Sequence, residues 1–285
     1  MKILVTGAGG FLGSRCAEQL RCSGHTVIAP SHAQCDWTNE RQVAELFAQE
    51  NPDAVAHVAA IADIGECERD HERAFSVNVK ATKQLCSLAG NRPFVFISSD
   101  QVYNPMLCCP LTEETPCDPQ NYYGETKVLG EEAVQKLSNS YALRITWQFS
   151  APNEPGFSKS TGILAVAKHA IETNTAVNAG ACSRRYLTWC WDTARVVQLA
   201  LEGKFSPGIY NVASRNHRTD ADTYALVFRA LGASEEQISR LLVSDMAFLP
   251  RSLTPEPDKL EKQGIVLPEF SQAVQNALIA QPRSK

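Results

Sequence analysis

Three residues of the chain have the types and spacing needed for acid–base chemistry at an oxygen atom. Tyr123 and Lys127 stand four residues apart, so a helix would place both side chains on one face. Ser99 directly follows the apolar run 94–98, which is typical of a buried strand. A free tyrosine has a pKa of about 10, and a neighbouring ammonium group lowers it. The set predicts that Tyr123 transfers a proton, that Lys127 tunes it, and that Ser99 holds a carbonyl or hydroxyl oxygen.

A glycine-rich turn near the N-terminus is suited to a phosphate-bearing cofactor. Gly7, Gly10 and Gly13 follow an apolar run and lead into a stretch of helical spacing that starts with Phe11 and Leu12. Glycines let the backbone approach a pyrophosphate, and a helix N-terminus offers free N–H groups with partial positive charge. We therefore predict that these five residues bind a dinucleotide. The alternative is a turn whose glycines serve only close packing of helix and strand.

The residues after the second apolar run bear on which dinucleotide is bound. In this type of fold an acidic residue at the end of the second strand commonly holds the adenosine ribose. Here the run 26–29 is followed by Ser31 and His32, and no carboxylate is present to repel a 2′-phosphate. Arg15, Ser31 and His32 could stabilise that group. The sequence favours NADP(H), with NAD(H) as the alternative.

The elements that must position these residues alternate regularly along the first half of the chain. Apolar, β-branched runs occupy residues 3–6, 26–29, 54–58, 94–98 and 141–145. Stretches of helical spacing occupy residues 11–21, 40–49, 71–89 and 122–137. Buried strands separated by helices predict the α/β class, with a doubly wound parallel sheet of Rossmann type.

The second half of the chain has a looser pattern. Residues 159–172 and 192–201 have helical spacing, with Asp192 as the expected N-cap of the second helix, and residues 185–189 and 208–212 are strand-like. We predict a dinucleotide-binding domain of residues 1–150 joined by 184–212. Residues 151–183 and 213–285 would form a smaller C-terminal lobe that binds the substrate.

Composition excludes several classes of protein. The net charge of −4 and the pI of about 5.9 do not favour a nucleic-acid or anionic-membrane partner. The chain contains no run of about 20 apolar residues, so the sequence predicts no membrane span. The ten cysteines include no zinc-site spacing, and we expect free thiols in a reducing, cytoplasmic setting without a bound metal.

The motifs together resemble those of the extended short-chain dehydrogenases. They are the glycine turn, Tyr123-x-x-x-Lys127 and the sequence Ser-Ser-Asp-Gln-Val-Tyr at residues 98–103. Among these proteins the chain looks most like the dTDP-4-dehydrorhamnose reductase family, whose Ser-Thr-Asp-x-Val-Phe signature it matches with Ser99 in place of threonine. The resemblance covers the whole chain. It implies reduction of the 4-keto group of a nucleotide-linked deoxysugar, with hydride from the nicotinamide and the proton from Tyr123.

The same resemblance implies further cofactor contacts. Residues 57–60 look like an Asn-Ala-Ala turn that lines the cofactor, which gives Ala59 and Ala60 this role, although His57 replaces the usual asparagine. Asp36 stands where many relatives contact the adenine amine. Asn78 resembles an asparagine that supports the active-site helix.

On the substrate side the resemblance implies four contacts. Ile64 lies in a stretch that faces the sugar in relatives but departs from their usual sequence, and Asp100 belongs to the signature. Trp147 resembles a residue that borders the substrate pocket. Arg185 resembles an arginine that binds the nucleotide pyrophosphate, and its alternative is a surface position at a strand edge.

Two other functions stay open at this level. The same catalytic set serves nucleotide-sugar epimerases and dehydratases, which recycle the cofactor. Some relatives of the reductase bind a dinucleotide and act as non-catalytic regulatory subunits of another enzyme. Dimers are common in this fold family, so a homodimer is an expectation that no residue proves.

Overall fold

The computed structural model describes residues 1–107, 109–154, 156–157, 161–246 and 251–279. The strands are β1 (Lys2–Thr6), β2 (Thr26–Ile28), β3 (Ala54–His57), β4 (Phe94–Ser99), β5 (Ser140–Ile145), β6 (Trp147–Phe149), β7 (Val177–Gly180), β8 (Arg184–Arg185), β9 (Leu187–Trp189), β10 (Gly208–Val212), β11 (Leu242–Asp245) and β12 (Ser252–Leu253). The helices are α1 (Phe11–Cys22), α2 (Glu40–Glu50), α3 (Ile64–Arg69), α4 (His71–Phe75), α5 (Ala81–Ala89), α6 (Tyr122–Val134), α7 (Ile163–Thr173), α8 (Cys190–Leu201), α9 (Asp220–Ala230), α10 (Glu235–Leu241), α11 (Asp258–Lys262) and α12 (Phe270–Ile279).

A six-stranded parallel sheet forms the centre of the molecule. Its strand order is β10-β5-β4-β3-β1-β2, and every neighbouring pair is parallel. The chain runs from β1 to one edge and then, through β3, towards the other. Ligands of such sheets bind beyond the carboxyl ends of the strands near this reversal. The predicted α/β class and its parallel sheet are confirmed.

Alternating side chains along the strands build a core on each face of the sheet. On one face Ile3 and Val5 pack with α1 and α8, and on the other Leu4 and Val55 pack with α2 and α5. The strands are buried on both faces, which is why they read as continuous apolar runs in the sequence.

A third core lies in the second half of the chain. Phe149, Leu164, Phe228 and Phe270 belong to it and join α7, α9 and α12. The predicted division into two lobes stays a prediction. Within the range expected for the smaller lobe, the segment 260–267 contributes side chains to the core of the large sheet.

Two local predictions were wrong. The stretch 71–89 is not one regular helix: α4 and α5 are joined by a π-helical segment, Ser76–Lys80. Asp192 is not the N-cap of α8, because the helix begins at Cys190 with Trp189 as N-cap and Asp192 lies in its first turn. The predicted start of α7 at Lys159 lies outside the described residues.

Of the helices in the described ranges, none is sufficiently long and apolar to cross a membrane.

Candidate active site

The glycine turn is packed so tightly that two of its glycines leave no room for a side chain. A Cβ on Gly13 would lie 2.1 Å from the carbonyl oxygen of Gly7, and one on Gly7 would lie 2.8 Å from the Cα of Ala59. Gly7 also has a φ of +70°, which favours glycine. Gly9, by contrast, has open space around it. The glycines therefore allow close backbone packing of the end of β1, the start of α1 and the residues after β3.

The N-terminus of α1 has no side-chain cap. Gly10 is its N-cap and supplies no side chain to the first backbone N–H groups, and the first turn carries no acidic residue. Phe11 is half-buried and Leu12 buried, so both fix the helix against the sheet while its first N–H groups lie at the turn. Such an end attracts a phosphate.

Arg15 is enclosed rather than open to a ligand. Its guanidinium donates to Glu154 from Nε at 3.1 Å and from Nη2 at 2.6 Å, and its faces are covered by Phe11 and Phe157. The side chain is 1% exposed. Its predicted contact with a 2′-phosphate would require this ion pair to open.

The loop after β2 is exposed. Ser31 and His32 are both on the surface, and the Ser31 hydroxyl donates to the side chain of Gln34 at 2.9 Å. Asp36 accepts hydrogen bonds from the backbone and hydroxyl of Thr38, which hold the pKa of its carboxyl below the usual value. These side chains bond only to near neighbours in the chain.

Ser99, Tyr123 and Lys127 come together at the carboxyl end of β4. Ser99 ends that strand, and Lys127 Nζ donates to the carbonyl oxygen of Ile97 at 2.9 Å. Nζ also lies 5.5 Å from the centre of the Tyr123 ring. All three are buried, so the helical face predicted from their spacing packs against the strand end.

Two contacts fix the start of α6 beside this strand end. Asn121 is the N-cap and accepts from the backbone N–H of Gly124 at 2.9 Å. A Cβ on Gly124 would lie 2.3 Å from the carbonyl oxygen of Gln101, so glycine allows the helix to approach the segment after β4.

Burial shifts the pKa values of Tyr123 and Lys127. It raises the pKa of the Tyr123 hydroxyl, Asp100 and Cys67 add to the rise, and a hydrogen bond with Ser99 opposes it. Lys127, which the sequence predicts to lower the pKa of Tyr123, is not among the groups that shift it. Burial lowers the pKa of Lys127 to about 8, and the influence of Cys67 and Glu131 opposes this shift.

A buried histidine joins the cofactor side of the site to the π segment. Thr6 Oγ1 accepts from the backbone N–H groups of Val58 and Ala59, so it donates its own proton to His57 Nδ1 at 2.7 Å. Thr82 donates to the carbonyl oxygen of Asn78 and therefore accepts from His57 Nε2 at 2.8 Å. His57 is thus a neutral ring with its proton on Nε2.

The surroundings of His57 also favour the neutral form of its ring. Burial, with the nearby charge of Lys127, lowers the pKa of His57 to about 3. Asn78 extends the connection to the catalytic helix, because its amide exchanges hydrogen bonds with the backbone of Ile61 and donates to Thr126 at 3.1 Å. Asn78 therefore forms a hydrogen bond with α6, the helix that the family resemblance expects it to support.

A buried ion pair holds α6 one turn beyond Lys127. Glu131 accepts from both Nε and Nη2 of Arg144 on β5, at 2.9 and 2.8 Å, and from the Ser98 hydroxyl at 2.5 Å. Arg144 also donates to the hydroxyl of Tyr103 at 2.9 Å. Sequence reasoning missed this pair, although a carboxylate four residues after Lys127 on the same helical face was a usable signal.

Three of the four predicted substrate residues, Asp100, Trp147 and Arg185, lie near one another. Arg185 lies 5.4 Å above the ring of Trp147, which is exposed. Asp100 is buried, and burial raises its pKa to about 6 although Ser99, Gln101 and the charge of Arg185 lower it. Arg185 is thus within electrostatic reach of Asp100. Ile64, the first residue of α3, is exposed and is not part of this group.

Sequence reasoning also missed Asp220. Its carboxylate accepts from Nε and Nη2 of Arg185 at 3.3 and 3.1 Å. No motif contains Asp220, and 35 residues separate it from its partner, so the chain offers no local signal of the pair.

Comparison with known proteins identifies the family. The family model described as the RmlD substrate binding domain matches residues 1–281. A dTDP-4-dehydrorhamnose reductase of Mycolicibacterium smegmatis is 30% identical over 241 residues, which cover 83% of this chain and 71% of the relative. Methionine adenosyltransferase 2 subunit beta of Danio rerio is 27% identical over 233 residues, covering 76% of this chain and 70% of that protein.

A solved structure gives the same fold. The dTDP-4-dehydrorhamnose reductase of Bacillus anthracis in complex with NADP has a TM-score of 0.86 and 19% identity, and the match covers 98% of this chain and 97% of the other. At this identity the likeness speaks for the fold alone. The family match along nearly the whole chain, with the identity to the mycobacterial reductase, shows that the chain belongs to the RmlD substrate-binding domain family.

Proposed function

We propose that this protein is an oxidoreductase that uses NADPH to reduce the 4-keto group of a nucleotide-linked deoxysugar, such as dTDP-4-dehydrorhamnose. The observation that carries the proposal is the burial of Ser99, Tyr123 and Lys127 together at the end of β4. The name of the mycobacterial relative supports the substrate class.

The glycine turn fits a dinucleotide. Gly7 and Gly13 keep the backbone bare where a Cβ would collide, and the uncapped N-terminus of α1 offers free N–H groups. Ala59 and Ala60 follow β3 beside this turn and would line the cofactor. When bound, NADPH supplies the hydride. NADH is the alternative, because the exposed Ser31 and His32 would not repel either cofactor.

The catalytic residues have distinct roles in this proposal. The raised pKa of Tyr123 keeps its hydroxyl protonated at neutral pH, which is the form that gives a proton to a carbonyl oxygen. Ser99 would donate a hydrogen bond to that oxygen and hold it near Tyr123. Lys127 would bond the nicotinamide ribose and, in its charged form, stabilise the tyrosinate left after transfer.

The substrate would lie between the catalytic set and the Arg185 side of the site. Trp147 would cover the sugar, Asp100 would bond its hydroxyl groups, and Arg185 would bind the diphosphate through its fork of N–H donors. Ile64, exposed at the start of α3, would be a further contact to the sugar. Asp36 would reach the adenine amine, and Arg15 would take part only after leaving Glu154.

Two alternatives make different predictions. An epimerase or dehydratase would form product without net consumption of NADPH. A non-catalytic regulatory subunit has no chemical need for a buried Ser99, Tyr123 and Lys127. The Danio rerio relative is named as a subunit of methionine adenosyltransferase 2. We place the protein in the cytoplasm, since its described cysteines are free thiols, and leave a homodimer as an open expectation.

The test is a turnover assay with purified protein. NADPH and then NADH are offered with dTDP-4-dehydro-6-deoxy sugars, and absorbance of the reduced nicotinamide is followed together with product analysis. We expect stoichiometric loss of NADPH and formation of the 4-hydroxy sugar. Product without NADPH loss would replace the reductase with an epimerase or dehydratase, and cofactor binding without any turnover would favour the regulatory role.

A further inference from the structure

The guanidinium group of Arg185 is already bound by a carboxylate of its own chain. Its Nε and Nη2 donate to the two oxygens of Asp220 at 3.3 and 3.1 Å. Arginine binds a phosphate group through the same bidentate arrangement. A diphosphate can therefore use these donors only after the Arg185–Asp220 pair has separated.

The pair lies at the border of the candidate active site. Arg185 stacks above Trp147 at 5.4 Å, and its charge acts on Asp100, the neighbour of Ser99. The Arg185 side chain is 40% exposed, whereas that of Asp220 is 11% exposed. A ligand that arrives from solvent thus meets the arginine first, with the carboxylate behind it.

Asp220 has a second source of stabilisation after Arg185 moves. It is the first residue of α9, an 11-residue helix, and an acidic side chain is favoured beside the positive end of a helix dipole. Its backbone N–H donates to the carbonyl oxygen of Ser183 at 2.8 Å, which anchors its position. The long side chain of Arg185 can swing to a ligand while Asp220 stays in place.

We propose that Asp220 competes with the diphosphate for Arg185. It binds Arg185 while no ligand is present and thereby lowers the affinity of the site for anionic ligands. The inference rests on the proposed function, which assigns the diphosphate to Arg185. Part of the binding energy of the diphosphate is spent on separating the pair, so nucleotide product leaves more readily than it would from a free arginine.

The experiment measures ligand affinity instead of turnover. Isothermal titration of the full-length protein, saturated with NADPH, gives the Kd of dTDP and of thymidine at low ionic strength. We expect Asp220→Asn to tighten dTDP binding about three- to tenfold and to leave thymidine unchanged, because only dTDP carries phosphates. The gain should shrink at about 0.5 M salt, where charges are screened, and vanish in an Arg185→Gln background.

A matched control exists in the same half of the molecule. Arg229 and Glu235 form a similar fork on the surface, at 2.6 and 2.9 Å, so Glu235→Gln changes the net charge equally and should not alter dTDP binding. Asp220→Ser, a smaller uncharged polar residue that leaves the Thr219 N-cap in place, serves as the second variant if Asp220→Asn fails to fold. The thermal midpoint and the Kd of NADPH report folding for each variant.

The outcomes separate the inference from the proposed function. Two results together overturn the role of Asp220 and leave the proposed function intact. They are unchanged or weaker dTDP binding in both Asp220 variants and loss of dTDP binding in Arg185→Gln alone. Equal tightening of thymidine and dTDP also overturns it. Failure of every variant and of the wild type to bind dTDP overturns the proposed substrate class together with the inference.

Discussion

The two ends of the candidate cofactor site are built in different ways. At the catalytic end Ser99, Tyr123 and Lys127 are at most 9% exposed, and the Lys127 ammonium group donates directly to strand backbone. At the adenosine end Ser31 and His32 are exposed, and the Ser31 hydroxyl bonds to Gln34, three residues away. The end that would carry the chemistry is thus fixed by the core, whereas the end that would choose the cofactor is a surface loop. Substitutions should have large effects at the first and small effects at the second.

The largest effect is expected from removal of the Tyr123 hydroxyl, the proposed proton donor. Tyr123→Phe should lower kcat by about 10²- to 10⁴-fold, the range of a general acid, and leave NADPH affinity nearly unchanged. Initial rates of NADPH oxidation and a fluorescence titration of NADPH measure the two quantities. Tyr122→Phe is the control, since Tyr122 is only half-buried and stacks on His71 at 3.7 Å. Equal losses in both variants would contradict the assignment.

A methyl group in the glycine turn should have the next largest effect. Gly13→Ala places a Cβ 2.1 Å from the Gly7 carbonyl oxygen, so the turn must open, and we expect about a hundredfold loss of NADPH affinity. Gly9→Ala meets no atom within 4 Å and should bind NADPH normally. Titration of NADPH fluorescence distinguishes the variants. Similar affinities in both would show that the turn does not contact the cofactor.

His57 should make the buried end sensitive to acid. Its pKa is about 3 in the folded state and about 6.5 when unfolded, so between these values the unfolded chain binds the extra proton. Stability from this group is present above pH 6.5 and is lost as the pH falls below it. Relative to His57→Asn, the wild type should lose about 2 kcal/mol between pH 6.5 and 5.

Urea unfolding of both proteins at the two pH values gives that difference. The comparison cancels the opposite contribution of Asp100, whose raised pKa favours the folded state as the pH falls. A parallel loss of stability in both proteins would remove His57 as its cause.

The smallest effect is expected at the exposed end. Ser31→Asp introduces a carboxylate after β2, where it would repel a 2′-phosphate, and should lower the NADPH:NADH ratio of kcat/KM about fivefold. Gln34→Glu adds the same charge in the same loop and separates a general charge effect from one at position 31. A shift of a hundredfold would mean that this loop is as rigidly built as the catalytic end.

The contrast explains which parts the sequence could predict. β1 and β4 are buried on both faces, so their apolar runs and the hydroxyl that ends β4 are visible in the chain. Tyr123 and Lys127 are recognisable because a helix repeats nearly every four residues. Local spacing does not identify both partners of a pair formed across the fold. Glu131 is noticeable four residues after Lys127, but nothing in the sequence names Arg144 as its partner or joins Arg185 to Asp220.

Arg15 illustrates the same limit. The sequence predicts that it could stabilise a 2′-phosphate, yet Glu154, far along the chain, binds its guanidinium group. The loop after β2 offers neither burial nor periodicity, so sequence could suggest a cofactor preference there but not a geometry.

The π segment between α4 and α5 has a consequence for reading related sequences. A π-turn accommodates one residue more than an α-turn, so the helical phase before Ser76 and after Lys80 differs by one position. Deleting one residue here would restore a regular helix and rotate Asn78 by about 100° away from Ile61 and Thr126. An alignment that places a single-residue gap in this segment therefore marks a chain in which the catalytic helix is held by a different bond.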